Sequence, residues 1–241
     1  MIDLRPRSAA SAPPGKREQR KAITRAELLV AARELFGERG LYESSVEDLT
    51  RRAGIAKGTL YLYFRSKEEL IQAVVREGFD SLHRRIIAEA GQGTKLAHLM
   101  ERIAEAHLGF LAKNPDLLRI FHQVRGMLKF NRREWLPLRG PLLTHLDRVA
   151  GLLETSPEGK RLSPGERRRL ALFLFGAVSG ISSVYATAES TSLRPGTRQI
   201  LSHALAVAAA EVCPASERRR PGYPNRPYPF HHGIPSPYEG R

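Results

Sequence analysis

Residues 44–70 read SSVEDLTRRAGIAKGTLYLYFRSKEEL, and local signals divide them into two short helices and the start of a third. Ser44-x-x-Glu47 and Ser45-x-x-Asp48 each have the form of a reciprocal helix cap, in which a hydroxyl accepts an orphan backbone N–H and the acid returns to the cap residue. Val46, Leu49 and Ala53 follow at helical spacing, and Gly54 supplies the positive φ that ends a helix and turns the chain. From Lys57 to Phe64 the i, i+4 rule pairs Leu60 with Phe64, Thr59 with Tyr63 and Lys57 with Tyr61. The apolar first pair predicts burial. The other two set a hydroxyl, two phenols and an ammonium on the outer faces, beside Gly58, where another backbone has room to approach. Ser66-x-x-Glu69 is a further cap; it opens a long helix with Lys67 in its first turn, where an ammonium and free N–H groups suit a phosphate.

Helix, tight turn and short helix with a polar outward face is the helix-turn-helix arrangement, whose second helix enters the major groove of duplex DNA. The alternative for KGTLYLYF is a packed helix with half-buried tyrosines. At this point AGIAKGTLYLYFRSKEEL, preceded by SSVEDL and by ITRAELLVAARELFGERGLYESS, resembles the DNA-binding domain of the TetR (tetracycline-repressor) family of transcriptional regulators. The signature covers roughly residues 22 to 72; the rest of the chain has the family's length and layout without a signature of its own. The resemblance implies that Tyr61 and Tyr63 contact DNA, that Lys67 binds a phosphate, and that Lys57, Gly58 and Thr59 face the groove. It implies too that Ser44 and Ser45 touch the DNA backbone. One departure stands out: the family commonly has serine where this chain has Ala56. Losing that cap hydroxyl costs roughly 1 kcal/mol of helix stability, and Ala56 is not among the expected site residues.

The 241 residues leave room for two domains with ample core, and a net charge of +14 with a pI near 10.5 favours a polyanionic partner, nucleic acid or an anionic membrane surface. The single Cys213 excludes an intrachain disulfide and a multi-cysteine zinc site, which suits a reducing cytoplasm. The start MIDLRPRS lacks the apolar segment of a signal peptide.

Taken in order, residues 1–21 are basic, without apolar periodicity, and read as a disordered arm that either follows the minor groove or remains a solvated tail. Thr24, with Glu27 returning and Ile23 and Leu28 as a staple, is expected to cap the first helix, whose inner stripe is Leu28, Leu29, Ala32, Leu35 and Phe36. Residues 22–68 then form the helix-turn-helix domain, and residues 69–213 a larger helical bundle. In the bundle, Leu96, Leu99, Met100, Ile103, His107, Phe110 and Leu111 share one helical face. His107 is there as an ordinary core histidine or as a ligand contact. Asn114-Pro115 separates two helices, and Pro141 is placed to be the first helical residue of the next. Ser163, Pro164 and Glu166 open a helix whose stretch 170–188 carries no charge. Its length alone fits a membrane span; its hydroxyls and the absence of a second span favour a helix buried on every side, against its own domain and a partner subunit. Gly176 and Gly180 permit close helix approach, and Leu201, Ala204, Leu205, Ala208 and Val212 repeat the pattern in the last helix, giving a four-helix interface between two chains. Residues 214–241 form a proline-rich, disordered tail.

The expectation is therefore an all-α protein: an N-terminal three-helix DNA-binding domain joined to a helical ligand-binding and dimerisation domain. It acts as a cytoplasmic homodimer on a palindromic double-stranded DNA operator, with half-sites about 34 Å apart, and answers to an unidentified small-molecule effector as a repressor. The rival is an architectural helix-turn-helix protein without ligand control. No nucleophile and base constellation, phosphate-cradling glycine loop or histidine pairing points to an enzyme, a cofactor or a metal. Phe110, Phe121, Trp135 and His107 make an apolar or aromatic effector plausible, but each is equally core, and no ligand residue is assigned.

Overall fold

A computed structural model of the chain describes residues 15–91, 94–129, 133–187 and 195–212. Nine α-helices lie among them: α1 Lys16–Arg39, α2 Val46–Ala53, α3 Lys57–Tyr61, α4 Lys67–Ala90, α5 Leu96–Lys113, α6 Pro115–Lys129, α7 Arg139–Leu153, α8 Pro164–Thr187 and α9 Pro195–Val212. Short 3-10 helices at Arg133–Leu138 and Gly159–Arg161 complete the described elements, none of which is a strand. The fold is all-α, as expected.

The small helices α2 and α3 pack on the C-terminal half of α1 and the start of α4 through Leu28, Leu35, Phe36, Leu49, Leu60 and Phe64, all buried. Arg25 lies 5.1 Å over the Phe64 ring and fixes it against α1. Beyond this head, α4 runs on into the bundle of α5 to α9. The apolar interior is continuous from Leu28 to Ala209. The expected division at residue 68 falls on the second residue of α4, so head and bundle share one uninterrupted helix.

The first helix departs from expectation. It begins at Lys16 after Gly15, eight residues ahead of Thr24, so Thr24 lies inside the helix, and Ile23 is exposed rather than stapled. The reason is composition: KREQRKA is made almost wholly of good helix formers with Glu18 in the first turn. Residues 16–21, expected in the arm, are thus helical; residues 1–14 and the tail 214–241 lie outside the described residues.

Several caps stand where the spacing put them. Ser66 Oγ accepts the Glu69 N–H at 3.2 Å to open α4, which ends at Gly91 with φ 69°. Ser163 and Glu166 bond reciprocally ahead of α8, with Pro164 as its first residue. Pro141 is the third residue of α7, not the first, because the 3-10 turn before it runs straight into the helix. The described chain covers only the half of α8 that was expected against its own domain. Within one chain α8 is covered on one side only: Val178, Ser179 and Ser182 are buried while Leu172, Phe173, Gly176, Gly180 and Val184 are exposed, as are Ile200 and Val207 on α9. No helix among the described residues is long and apolar enough to cross a membrane.

The head is held on the bundle by polar contacts between α1 and α6. The Arg33 guanidinium grips the Asp116 carboxylate through two nitrogens, and its Nη2 donates to Asn114 Oδ1 at 2.7 Å. Arg119 donates to the Gly37 carbonyl at 3.1 Å, and Gln123 Oε1 accepts the Leu41 N–H at 2.7 Å. A Cβ on Gly37 would lie 2.6 Å from that of Asp116, so glycine is what lets the two helices meet.

Candidate nucleic-acid interface

Helix α2 is fixed at both ends. Ser45 Oγ accepts the Asp48 N–H at 3.0 Å, and the Asp48 carboxylate takes the Ser45 N–H and hydroxyl at 3.2 and 2.6 Å, a full capping box. At the other end Gly54 sits in the left-handed region at φ 66°. The chain re-enters helix at Lys57 behind Ala56, whose backbone has the extended geometry of a cap but whose side chain makes no cap bond. The family's serine is absent here, and α3 starts uncapped. It is also shorter than expected, closing at Tyr61; a final turn, in which the N–H groups of Tyr63 and Phe64 both bond to the Leu60 carbonyl at 3.0 Å, carries the chain to Phe64.

Of the eight expected contact residues, seven lie on the outer side of this head. Lys57, Gly58 and Tyr61 are exposed, and a Cβ on Gly58 would meet nothing within 4 Å. Thr59, Tyr63 and Lys67 are half-buried, Tyr63 with its ring edge on the apolar core. Ser45 is exposed but spent on its cap.

Ser44 is a correction. Only 1% of it is exposed, and its hydroxyl donates inward to the Gly40 carbonyl at 2.6 Å. Of two overlapping cap patterns one alone can lead the helix. Ser45 takes that place, so Ser44 falls one residue outside it and its hydroxyl turns to the α1 terminus. Glu47, freed from a capping role, pairs instead with Lys57.

Electrostatics separate the two lysines. The Glu47 carboxylate beside Lys57 raises that ammonium above its ordinary pKa and lowers its own. Burial pushes Lys67 the other way, only partly offset by Glu68 and Glu43. A half-buried ammonium with lowered pKa at a helix start gains most from an anion placed against it. One residue that spacing did not single out is Leu62, which caps the C-terminus of α3 with 82% of its surface exposed, next to Tyr61 at 45%. Its signal was available: Leu62 is the one position in Leu60 to Phe64 that neither the apolar nor the polar pairing claims.

This geometry has relatives. Residues 28–74 match the family model described as bacterial regulatory proteins, tetR family. Over 79 residues the chain is 40% identical to the HTH-type transcriptional repressor KstR2 of Rhodococcus jostii, covering 32% of this chain and 39% of that protein. Over 91 residues it is 26% identical to the fatty acid metabolism regulator protein of Bacillus subtilis, covering 38% and 47%. The chain thus matches less than half the length of these curated relatives. Among solved structures, Bacillus subtilis FadR in complex with stearoyl-CoA superposes with a TM-score of 0.60 at 19% identity, over 76% of this chain and 96% of that one. That likeness is one of fold and runs through head and bundle alike. Residues 28–74 are thus similar, in sequence and in fold, to the helix-turn-helix domain of the tetR family of bacterial regulatory proteins.

Proposed function

We propose that the protein is a ligand-responsive transcriptional repressor that binds a palindromic operator as a homodimer. The observation that carries this is the outward face of α3: Lys57, Gly58, Thr59 and Tyr61 on one short helix, with Lys67 at the start of the next. In the groove, Thr59 and Tyr61 reach base edges, Lys67 and the first N–H groups of α4 hold a phosphate, and Leu62 meets the one apolar group on a major-groove edge, a thymine methyl. Lys57 reaches DNA by exchanging Glu47 for a phosphate.

Two-fold symmetry needs a second copy, and the uncovered stripe of α8 supports one. Leu172, Gly176, Gly180 and Val184 recur every four residues along one side, flanked by Ile200 and Val207 of α9. Glycines on that stripe let two such helices approach closely.

The bundle is the effector domain, and α4 is the connection. Phe79 lies twelve residues beyond Lys67, about 18 Å along the axis, so a ligand that shifts α4 in the bundle re-aims the phosphate contact in the head. The names of the relatives direct the first effector trial to fatty acyl-CoA thioesters. The readings as enzyme and as architectural protein part from this one in the same assay. Wild-type protein should protect one palindrome, with a steep salt dependence from released counterions, and stearoyl-CoA is the first compound to test for release. Lys67→Ala should weaken operator binding roughly tenfold and lower the salt slope by about one; an unchanged affinity and slope would remove the proposed contact.

A further inference from the structure

Beside the second half of α4 the bundle buries a polar group that has no partner among the described residues. His145 of α7 is 2% exposed, and neither of its ring nitrogens has a hydrogen-bond partner among the described residues. The Phe79 ring stacks on it at 4.9 Å, Phe175 of α8 meets it edge-on at 5.9 Å, and the ring of His107 of α5 stands perpendicular to it at 5.6 Å. Phe79 in turn stacks on Phe121 of α6 at 4.4 Å. His83, one turn beyond Phe79 on α4, also buries a ring nitrogen without a partner. An orphaned donor or acceptor costs roughly 1–3 kcal/mol, and buried polar groups are otherwise nearly always paired. A chain that keeps two such atoms in an aromatic box, where leucine or phenylalanine would fit, spends stability on a partner from outside.

We infer that His145 is the hydrogen-bonding anchor for the effector, and that the effector is a neutral, oxygen-bearing hydrophobe held by one carbonyl or hydroxyl with its apolar part against the rings of Phe79 and Phe175, which touch at 6.4 Å and part to admit it. This rests on the reading of the bundle as an effector domain. Neutrality follows from the surroundings. The acid that lies near, Asp80, is engaged outside the box with Arg148, and burial together with His107, His83 and Arg148 disfavours an imidazolium. A neutral imidazole offers one N–H and one lone pair, which match a carbonyl or hydroxyl; a carboxylate would lie in an apolar box whose neighbouring cation, Arg148, is already paired with Asp80. The acyl end of a thioester belongs to the favoured class, and a free fatty acid does not.

Three probes of one skeleton test this on the full-length protein without DNA: butyrophenone, n-butylbenzene, which lacks only the oxygen, and 4-phenylbutyrate, which adds a charge. In calorimetric or NMR titrations wild-type protein should prefer butyrophenone over n-butylbenzene by roughly five- to tenfold, with 4-phenylbutyrate weakest. The imidazole 15N signals of His145 should move with the ketone and not with the hydrocarbon. In His145→Phe, which removes both orphan atoms and keeps a ring in the box, the ketone and the hydrocarbon should bind alike and Tm should rise. Should that variant fail to fold, the 15N signals of the wild type decide alone. Equal affinity of ketone and hydrocarbon for the wild type, no binding of either, or 15N shifts that ignore the ketone would overturn the assignment. Operator binding is measured separately, so loss of the regulator reading and loss of this one are told apart.

Discussion

Two polar clusters lie along α4, and they are built on opposite terms. At its start, around Lys67, the outer polar groups of the head are satisfied locally: Ser45 by Asp48, Ser66 by the Glu69 N–H, Lys57 by Glu47. These groups lie at or near the surface, where exchanging one partner for another, such as a phosphate, costs little. Around Phe79, by contrast, His145 and His83 bury ring nitrogens with no partner among the described residues. The difference teaches where each surface gets its selectivity. On the proposed reading the head competes its own ion pairs against DNA, which should make its affinity graded and sensitive to salt. The bundle leaves polar atoms unsatisfied among the described residues, so on the inference above the right ligand would relieve a standing cost and the wrong one would not.

The sharpest way to break this comparison is to leave both clusters intact and separate the two copies of the head. Gly180 is exposed, and a Cβ there meets nothing within 4 Å in its own chain. Gly180→Leu should therefore leave the monomer fold and its melting unchanged while preventing close approach of two α8 helices. Analytical ultracentrifugation should show monomers, and affinity for the full palindrome should fall by roughly 10²- to 10⁴-fold as the linked second half-site is lost. A dimer that survives would move the interface off α8.

The second test loads the buried cluster with charge. Burial pushes His107 down to about 4, and His145 also lies well below the ordinary histidine value. The unfolded chain takes up these protons near pH 6.5, before the folded chain does, so stability is full above that pH and declines as pH falls. For His107 alone the loss between pH 6.5 and 5 is about 2 kcal/mol, and it levels off near pH 4. Glu38, Glu47, Asp48 and Glu166, all held below the ordinary carboxylate range by hydrogen bonds and neighbouring cations, add their losses at lower pH. The interval from pH 7 to 5 therefore isolates the histidines. Urea melts should give a clearly lower midpoint at pH 5, and His107→Leu should flatten the difference; identical midpoints at the two pH values would show the histidines to be accessible to protons in the folded state.

The contrast between the clusters also explains what was legible in the sequence. The head is written in short range: Ser45 to Asp48, Gly54, Leu60 to Phe64 and Ser66 to Glu69 are separations of four residues or fewer, and each local bond has one geometry. Even its error is local, since Ser44 and Ser45 make the same pattern one residue apart and only the packing of α1 selects between them. The box around His145 takes one ring from each of α4, α5, α7 and α8, and the clasp of Arg33 on Asp116 joins residues 83 apart. No spacing rule reaches that far. Periodicity could place His107 on an apolar face, but whether that face met core or ligand depended on helices the pattern does not orient. The start of α1 failed for another reason: polar residues with high helix propensity and no apolar stripe extend a helix without announcing it.

The smallest expected effect tests the head at the one cap it lacks. Ala56 has φ −72° and ψ 148°, a cap backbone without a cap side chain. Ala56→Ser places a hydroxyl where it accepts the N–H of Gly58 or Thr59, so no rearrangement is needed. The gain should be about 0.5–1 kcal/mol, read as a rise of a few degrees in Tm, with the mirror-image loss in Ser45→Ala, which deletes the working cap of α2. Because residue 56 is exposed next to Lys57 and Gly58, operator affinity should rise slightly as well, by one further phosphate contact. A rise in Tm without any change in affinity would place the cap away from the DNA backbone and leave α4, with Lys67, as the head's principal phosphate anchor.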